Sequence, residues 1–230
     1  MGKFIAKTAV LLSGSGRTLR NLLDRVREGT LDIEIRVVIA DRPGIRGLTI
    51  AEEAGIPSLV VHPRDYEFVW EEYSRALTYE LEKFEPDLIV MAGFLSLYRI
   101  PRKFENRVMN IHPALVPSFC GKGYYTDRVH RAVLRRGVKV SGCTVHFADN
   151  EYDHGPIILQ KAVPVSIDDT PETLAARVFE KECEAYPEAI RLFTEGRLRV
   201  EGRRVRILGQ DRDAAPTDEA SAAPDTGSGS

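Results

Sequence analysis

Strand-like and helix-like segments alternate through the first half of this chain, and that alternation restricts its fold more than any other feature. Apolar runs at 8–12, 33–40, 58–61, 87–91 and 107–112 read as short buried strands. Helical spacing falls between them. Leu19, Leu22, Leu23 and Val26 share one face of a segment at 17–28, a short helix is expected at 45–55, and Val69, Tyr73, Leu77, Leu81 and Phe84 recur every three or four positions across 67–84. Strands separated in this way imply an α/β fold, with a mostly parallel central sheet and helices on both faces. The second half is richer in β structure. Segments 140–148 and 156–165 are expected to pair, and Thr170-Pro171-Glu172 is a strong helix start for a helix running towards Phe193. A hairpin of 197–200 and 203–208, joined by Glu201-Gly202, closes the domain. The expected organisation is one domain over 1–208 and a disordered tail over 209–230, where the composition turns to Asp, Ala, Pro, Thr, Ser and Gly.

The bulk properties narrow the function classes. The 230 residues carry 32 basic and 34 acidic side chains, a net charge of -2 that argues against general nucleic-acid binding. No apolar run approaches the ~20 residues of a spanning helix, and Met1-Gly2-Lys3-Phe4 does not open a signal peptide, so no membrane partner is expected. Cys120, Cys143 and Cys183 are scattered and odd in number, which reads as three reduced thiols in a cytoplasmic protein.

Three features carry chemistry. Ser13-Gly14-Ser15-Gly16-Arg17-Thr18, between the first strand and first helix, reads either as a phosphate seat or as a structural turn. It lacks the third glycine of a dinucleotide fingerprint and the Gly-Lys-Ser/Thr of a Walker loop. In Val108-Met109-Asn110-Ile111-His112-Pro113, Asn110 and His112 fall on one face of a strand that Pro113 ends. An amide donor beside an imidazole suits acyl chemistry, the first binding a developing oxyanion and the second shuttling protons; the alternative is a polar strand end. The acidic loop from Asp149 to Pro156 is a solvated turn, or it brings Asp153 against His112, orienting the imidazole and raising its pKa. A metal held by His112, His146, His154 and Asp153 finds no support in ligand spacing, and no Gly-x-Ser-x-Gly elbow is present.

Taken together these residues resemble the folate-dependent phosphoribosylglycinamide formyltransferases over roughly 7–208. The resemblance rests on Ser13-Gly14-Ser15-Gly16, Ala92-Gly93-Phe94, Asn110-Ile111-His112-Pro113, Pro117-Ser118-Phe119, Thr144-Val145-His146-Phe147, and Asp153 with Gly155-Pro156-Ile157-Ile158-Leu159-Gln160. It implies a Rossmann-like formyltransferase fold, 10-formyltetrahydrofolate as co-substrate, and no metal. It also implies that Asn110, protonated His112 and Asp153 are the catalytic trio. Gly16, Arg17 and Thr18 would hold the ribonucleotide phosphate, and Glu182 would contact the ribonucleotide. Leu95, Ser96, Leu97 and Tyr98, with Ala148, Asp149 and Tyr152, would line the folate pocket. The implied reaction, a step of purine synthesis, needs only small-molecule partners and fits a monomer or a homodimer. The chain departs from the family pattern at Arg17-Thr18, near Trp70, and in a longer loop at 121–127. Methionyl-tRNA formyltransferases, formyltetrahydrofolate hydrolases and sugar-nucleotide formyltransferases share the chemistry but carry additional domains, and a non-catalytic binder would have no need of a proton shuttle. A cis bond at Val116-Pro117 or Gly155-Pro156 is conceivable beside the site.

Overall fold

In the computed structural model, which describes residues 4–209, the first strand β1 (Ala6–Leu12) is buried at every position except Lys7. Such a strand needs neighbours on both edges and cover on both faces, and it has them. The strands β2 (Ile33–Ala40) and β3 (Ser58–Val60) lie to one side; β4 (Leu88–Met91) and β5 (Val108–His112) lie to the other, all parallel. From β5 the sheet turns antiparallel through β6 (Val140–Phe147) and β7 (Ile157–Pro164). The terminal hairpin of β8 (Leu198–Glu201) and β9 (Arg204–Ile207) completes a nine-stranded sheet of order β3-β2-β1-β4-β5-β6-β7-β9-β8.

Helices cover both faces and divide the core. On one face α1 (Arg17–Arg27), α2 (Arg46–Glu53), α4 (Asp127–Arg136) and α5 (Pro171–Thr194) place Leu19, Leu22, Ile50, Val133 and Ile190 against Val10, Val38 and Val145. On the other, α3 (Trp70–Glu82) packs Tyr73, Leu77 and Leu81 against Leu11, Ile39 and Ile89. Helix α5 begins as anticipated, with Thr170 and Thr173 exchanging capping bonds and Pro171 in the first turn. The buried Tyr186 hydroxyl donates to the carbonyls of Met91 (3.1 Å) and Met109 (2.8 Å), pinning α5 to β4 and β5.

Two elements differ from expectation. Helix α3 starts at Trp70 rather than 67, because a 3-10 turn at Pro63–Tyr66 comes first and Glu67 and Phe68 take φ values of 50° and 60°. Two consecutive left-handed residues cannot belong to a right-handed helix. Helix α4 was not anticipated. Its buried Val129, Ala132 and Val133 are interleaved with arginines and follow a glycine- and tyrosine-rich loop, which hides the period. Val116-Pro117 is cis. The expected tail falls, from 210 onwards, outside the described residues.

The strand order reverses between β1 and β4, one arm of the chain building outward through β2 and the other through β5. A crevice opens at such a switch point, outside the carboxyl ends of the strands. Ser13, just past β1, donates its N–H to the Gly93 carbonyl just past β4 at 3.1 Å, so the glycine loop and the 92–98 segment meet there.

Candidate active site

Gly16 caps α1 in the left-handed conformation (φ 70°) with no side-chain cap. A Cβ there would come within 2.7 Å of the Gly47 backbone, so the position demands glycine on both steric and conformational grounds. The first N–H groups of α1 have no side-chain acceptor and no acidic neighbour in the first turn, which leaves the positive end of the helix dipole uncompensated. Beside it lies a cavity of about 370 Å³ lined by Ser15, Arg17, Arg20, Arg46, Phe179 and Cys183, among others. The Arg17 guanidinium stacks 3.7 Å above the Phe179 ring. Thr18 is half-buried in the first turn. Glu182, on α5 one turn beyond Phe179, faces the Arg17 charge, yet burial pushes its carboxyl up to about 7.

The residues singled out on β5 and in the acidic loop do come together. Asp153 Oδ2 lies 3.3 Å from His112 Nδ1 and accepts the Gly121 N–H at 2.9 Å. Its Oδ1 accepts from Asn110 Nδ2 at 3.2 Å. Asp153 itself has φ 52°, a left-handed conformation that aspartate tolerates better than most residues. Its carboxyl is held below the usual carboxylate range: burial alone would raise it, but the facing His112 and the Gly121 N–H outweigh that.

The expected rise in the His112 pKa is not observed. Burial, with 4% of the residue exposed, is the largest influence and holds the imidazole below its ordinary value, although Asp153 and the Phe119 carbonyl pull the other way. The geometry explains the contest. Nδ1 faces the Asp153 carboxylate and Nε2 faces the Phe119 carbonyl at 2.9 Å, so both ring nitrogens look at acceptors. Either neutral tautomer leaves one lone pair against an oxygen, and only the imidazolium satisfies both. The ring is therefore poised to take up a proton.

His146, which the sequence offered as a possible metal ligand and within the Thr144-Val145-His146-Phe147 run, takes a different role. Its Nδ1 lies 2.9 Å from the Phe147 carbonyl, which makes that nitrogen the donor and leaves Nε2 as an acceptor for Asn110 Nδ2 at 3.2 Å. His146 thereby fixes which way the Asn110 amide points. The register Asn110↔His146 across β5 and β6 places them side by side. Thr144 and His146 lie two apart on one strand, within the Thr144-Val145-His146-Phe147 run. Among the described residues no cluster of three or more His, Cys, Asp or Glu is arranged to hold a metal ion.

The two segments expected to line a second pocket are joined. Asn150 accepts the Ile100 N–H on Oδ1 at 2.7 Å, and its carbonyl accepts from Arg99 at 3.4 Å. Ala148 donates its N–H to the Val108 carbonyl, so the loop continues the sheet edge beside the trio. Leu95 and Leu97 are half-buried, and Tyr152 is 39% exposed. Tyr98 departs from the expectation as a side-chain contact: its ring is buried in the α3 core and its hydroxyl pairs with Thr78 at 2.9 Å. Trp70 packs edge-to-face against Phe68 and Tyr73, at 6.3 and 6.0 Å between ring centroids. A cleft of about 390 Å³ between α3 and Arg99 contains none of the trio.

The terminal hairpin straps this loop. Arg203 reaches His154 Nε2 at 2.8 Å and its carbonyl at 2.8 Å, and Asp149 holds His154 Nδ1 at 2.8 Å. All these groups are solvent-exposed, so each bond contributes little alone. Arg203→Ala is expected to leave the melting temperature within about 2 °C and to weaken whatever ligand the 148–154 loop holds by about threefold. Calorimetry and a ligand titration check this.

The formyl transferase family model matches residues 6–190. The trifunctional purine biosynthetic protein adenosine-3 of Gallus gallus is 43% identical over 196 residues, 84% of this chain but 19% of that protein. The chain thus spans about one fifth of such relatives' length. The chloroplastic phosphoribosylglycinamide formyltransferase of Vigna unguiculata is 38% identical, covering 84% of this chain and 62% of the other. The crystal structure of glycinamide ribonucleotide transformylase 1 from Symbiobacterium toebii superposes with a TM-score of 0.83 at 46% identity, covering 89% of this chain and 94% of the other.

Proposed function

The chain belongs to the formyl transferase family, and from that premise we infer that it transfers the formyl group of 10-formyltetrahydrofolate to the amine of 5-phosphoribosylglycinamide, a step of de novo purine synthesis. The observation that carries this reading is the convergence of Asn110, His112 and Asp153 at the carboxyl end of β5, in a chain that also holds an arginine-lined cavity at the start of α1.

The ribonucleotide phosphate occupies the uncapped N–H groups of Gly16, Arg17 and Thr18, with Arg17, Arg20 and Arg46 supplying positive charge. Glu182 accepts from the ribose hydroxyls. The folate lies between the 95–98 and 148–152 segments, which offer backbone groups and apolar surface around its flat ring. The amine then attacks the formyl carbon. Asn110 turns an N–H towards the oxyanion; its two bonds of 3.2 Å to Asp153 and His146 are at the long end of the range and readily exchanged. His112 enters uncharged, because burial holds its pKa down. It becomes the imidazolium by accepting the amine proton once substrate displaces the Phe119 carbonyl from Nε2. Asp153 stabilises that charge. The carbon–N10 bond breaks, the imidazolium returns the proton to N10, and tetrahydrofolate leaves with the electron pair.

The test is to mix protein, 10-formyltetrahydrofolate and the ribonucleotide, and to follow formation of the formylated amine. Transfer that requires the amine supports the reading. Loss of the formyl group at the same rate without ribonucleotide makes the protein a hydrolase instead.

Glu182 supplies a pH signature. Its carboxyl, neutral below about 7, becomes a stronger acceptor for ribose hydroxyls above it. The KM for ribonucleotide is therefore expected to fall about fivefold as pH rises through neutrality. The substrate phosphate titrates near pH ~6 as well, so Glu182→Gln is the control: only the part of the change due to the carboxyl disappears in it.

A further inference from the structure

Asp41 follows β2 at the switch point and is 1% exposed, yet nothing in the reaction above uses it. Four donors converge on its carboxylate. Ser13 and Ser96 each donate a hydroxyl to Oδ2 at 2.7 Å. Arg42 donates Nε–H to Oδ1 at 2.8 Å and an Nη2–H to Oδ2 at 3.2 Å. The serines come from different places. Ser13 opens the glycine loop at the end of β1, and Ser96 lies in the segment after β4. Ser13 Oγ also accepts the Leu95 N–H at 2.8 Å, so the second segment is held at two successive residues.

A buried carboxylate is costly unless its lone pairs are filled, and four donors fill them. No neutral side chain of this size meets the same set. Asparagine offers one oxygen, and its amide N–H groups would face either the Arg42 donors or a serine.

We propose that Asp41 is a positioning residue for both substrate subsites, holding the phosphate-binding glycine loop and the folate-binding 95–98 segment to one carboxylate. This rests on the formyl-transfer reading. Asp41 touches neither substrate. It sets the separation between the loop that seats the phosphate and the loop that seats the folate, and hence the distance from amine to formyl carbon.

The consequence is a cross-effect. Cutting the bond on one side loosens the anchor of the other. Asp41→Asn is expected to raise KM for both the ribonucleotide and the folate about three- to tenfold. Ser96→Ala is expected to raise the ribonucleotide KM about twofold or more, and Ser13→Ala the folate KM likewise. Arg42 also donates to the carboxylate, but it is half-exposed, where water can replace it, and it is bonded to neither loop through these contacts, so Arg42→Ala is expected to leave both values within about twofold. Steady-state kinetics on the four variants, each with its melting temperature, tests this. The serine variants keep the test decisive should Asp41→Asn fail to fold. A lowered melting temperature with both KM values unmoved overturns the anchor and makes the cluster merely structural. Cross-effects absent from both serine variants overturn it as well, as does an Arg42→Ala effect equal to that of Asp41→Asn. Wild-type protein that formylates no ribonucleotide overturns the functional reading and this proposal with it, whereas wild-type turnover with unmoved KM values overturns the anchor alone.

Discussion

Replacing His112 with alanine is expected to lower formyl transfer by about 10²–10⁴-fold, the range of a positioned general acid–base, while changing the binding of either substrate far less. The imidazole is 4% exposed and sits between two acceptors, Asp153 Oδ2 and the Phe119 carbonyl. The two acceptors favour an imidazolium, but burial outweighs them and keeps the resting ring neutral, so its value lies in the proton it takes up during turnover. Asp153→Asn tests the other half of the pair. The amide keeps the shape but presents no charge, and it loses an acceptor for the Gly121 N–H or for Asn110. Because the two act as one unit, the double variant is expected to be no slower than the slower single one by more than about tenfold. Single-turnover rates with both substrates saturating give the measurement. A His112→Ala rate within tenfold of wild type removes His112 from the chemistry.

Much of this arrangement was legible in the sequence, for identifiable reasons. Residues two apart on a strand share a face whatever surrounds them, so Asn110 and His112 are paired by local geometry alone. The parallel half follows from buried runs alternating with helical stripes, and the glycine at 16 signals a backbone that L side chains rarely adopt. What stayed hidden depends on distant parts of the chain. The direction of the His112 pKa shift is set by how deeply α4, the 119–121 segment and the sheet bury the ring, and no spacing encodes that depth. His146 acquires its role only through its register opposite Asn110. Asp41 reads as an ordinary polar residue at a strand end until the switch point brings Ser13 and Ser96 onto it. Helix α4 was lost to a pattern dominated by arginine and tyrosine, although its buried face is clear in three dimensions.

Gly155→Ala is expected to reduce kcat/KM by about 10²-fold through displacement of Asp153, with about 1–3 kcal/mol of lost stability. Gly155 closes the acidic loop where it rejoins β7, and a Cβ at that position would lie 1.9 Å from the Phe147 carbonyl oxygen. No flexible side chain is there to give way. The obstacle is backbone, and it is anchored: Phe147 donates its N–H to Pro156 at 2.9 Å, and its carbonyl accepts from His146 Nδ1. The added methyl must therefore push the loop rather than the strand. Asp153, two residues away and already left-handed at φ 52°, takes up the movement. Its hold on Gly121 N–H and its approach to His112 are both short enough that a shift of about 1 Å abolishes them. Asn110 loses its bond to Asp153 Oδ1 in the same step. Thermal unfolding separates the stability loss from the catalytic one, and kinetics below the melting transition measure the second alone. Near-wild-type kcat/KM in a folded Gly155→Ala variant would show that the loop reaches its position without the close approach at 155, and that Gly121 and His112 alone hold Asp153 in place.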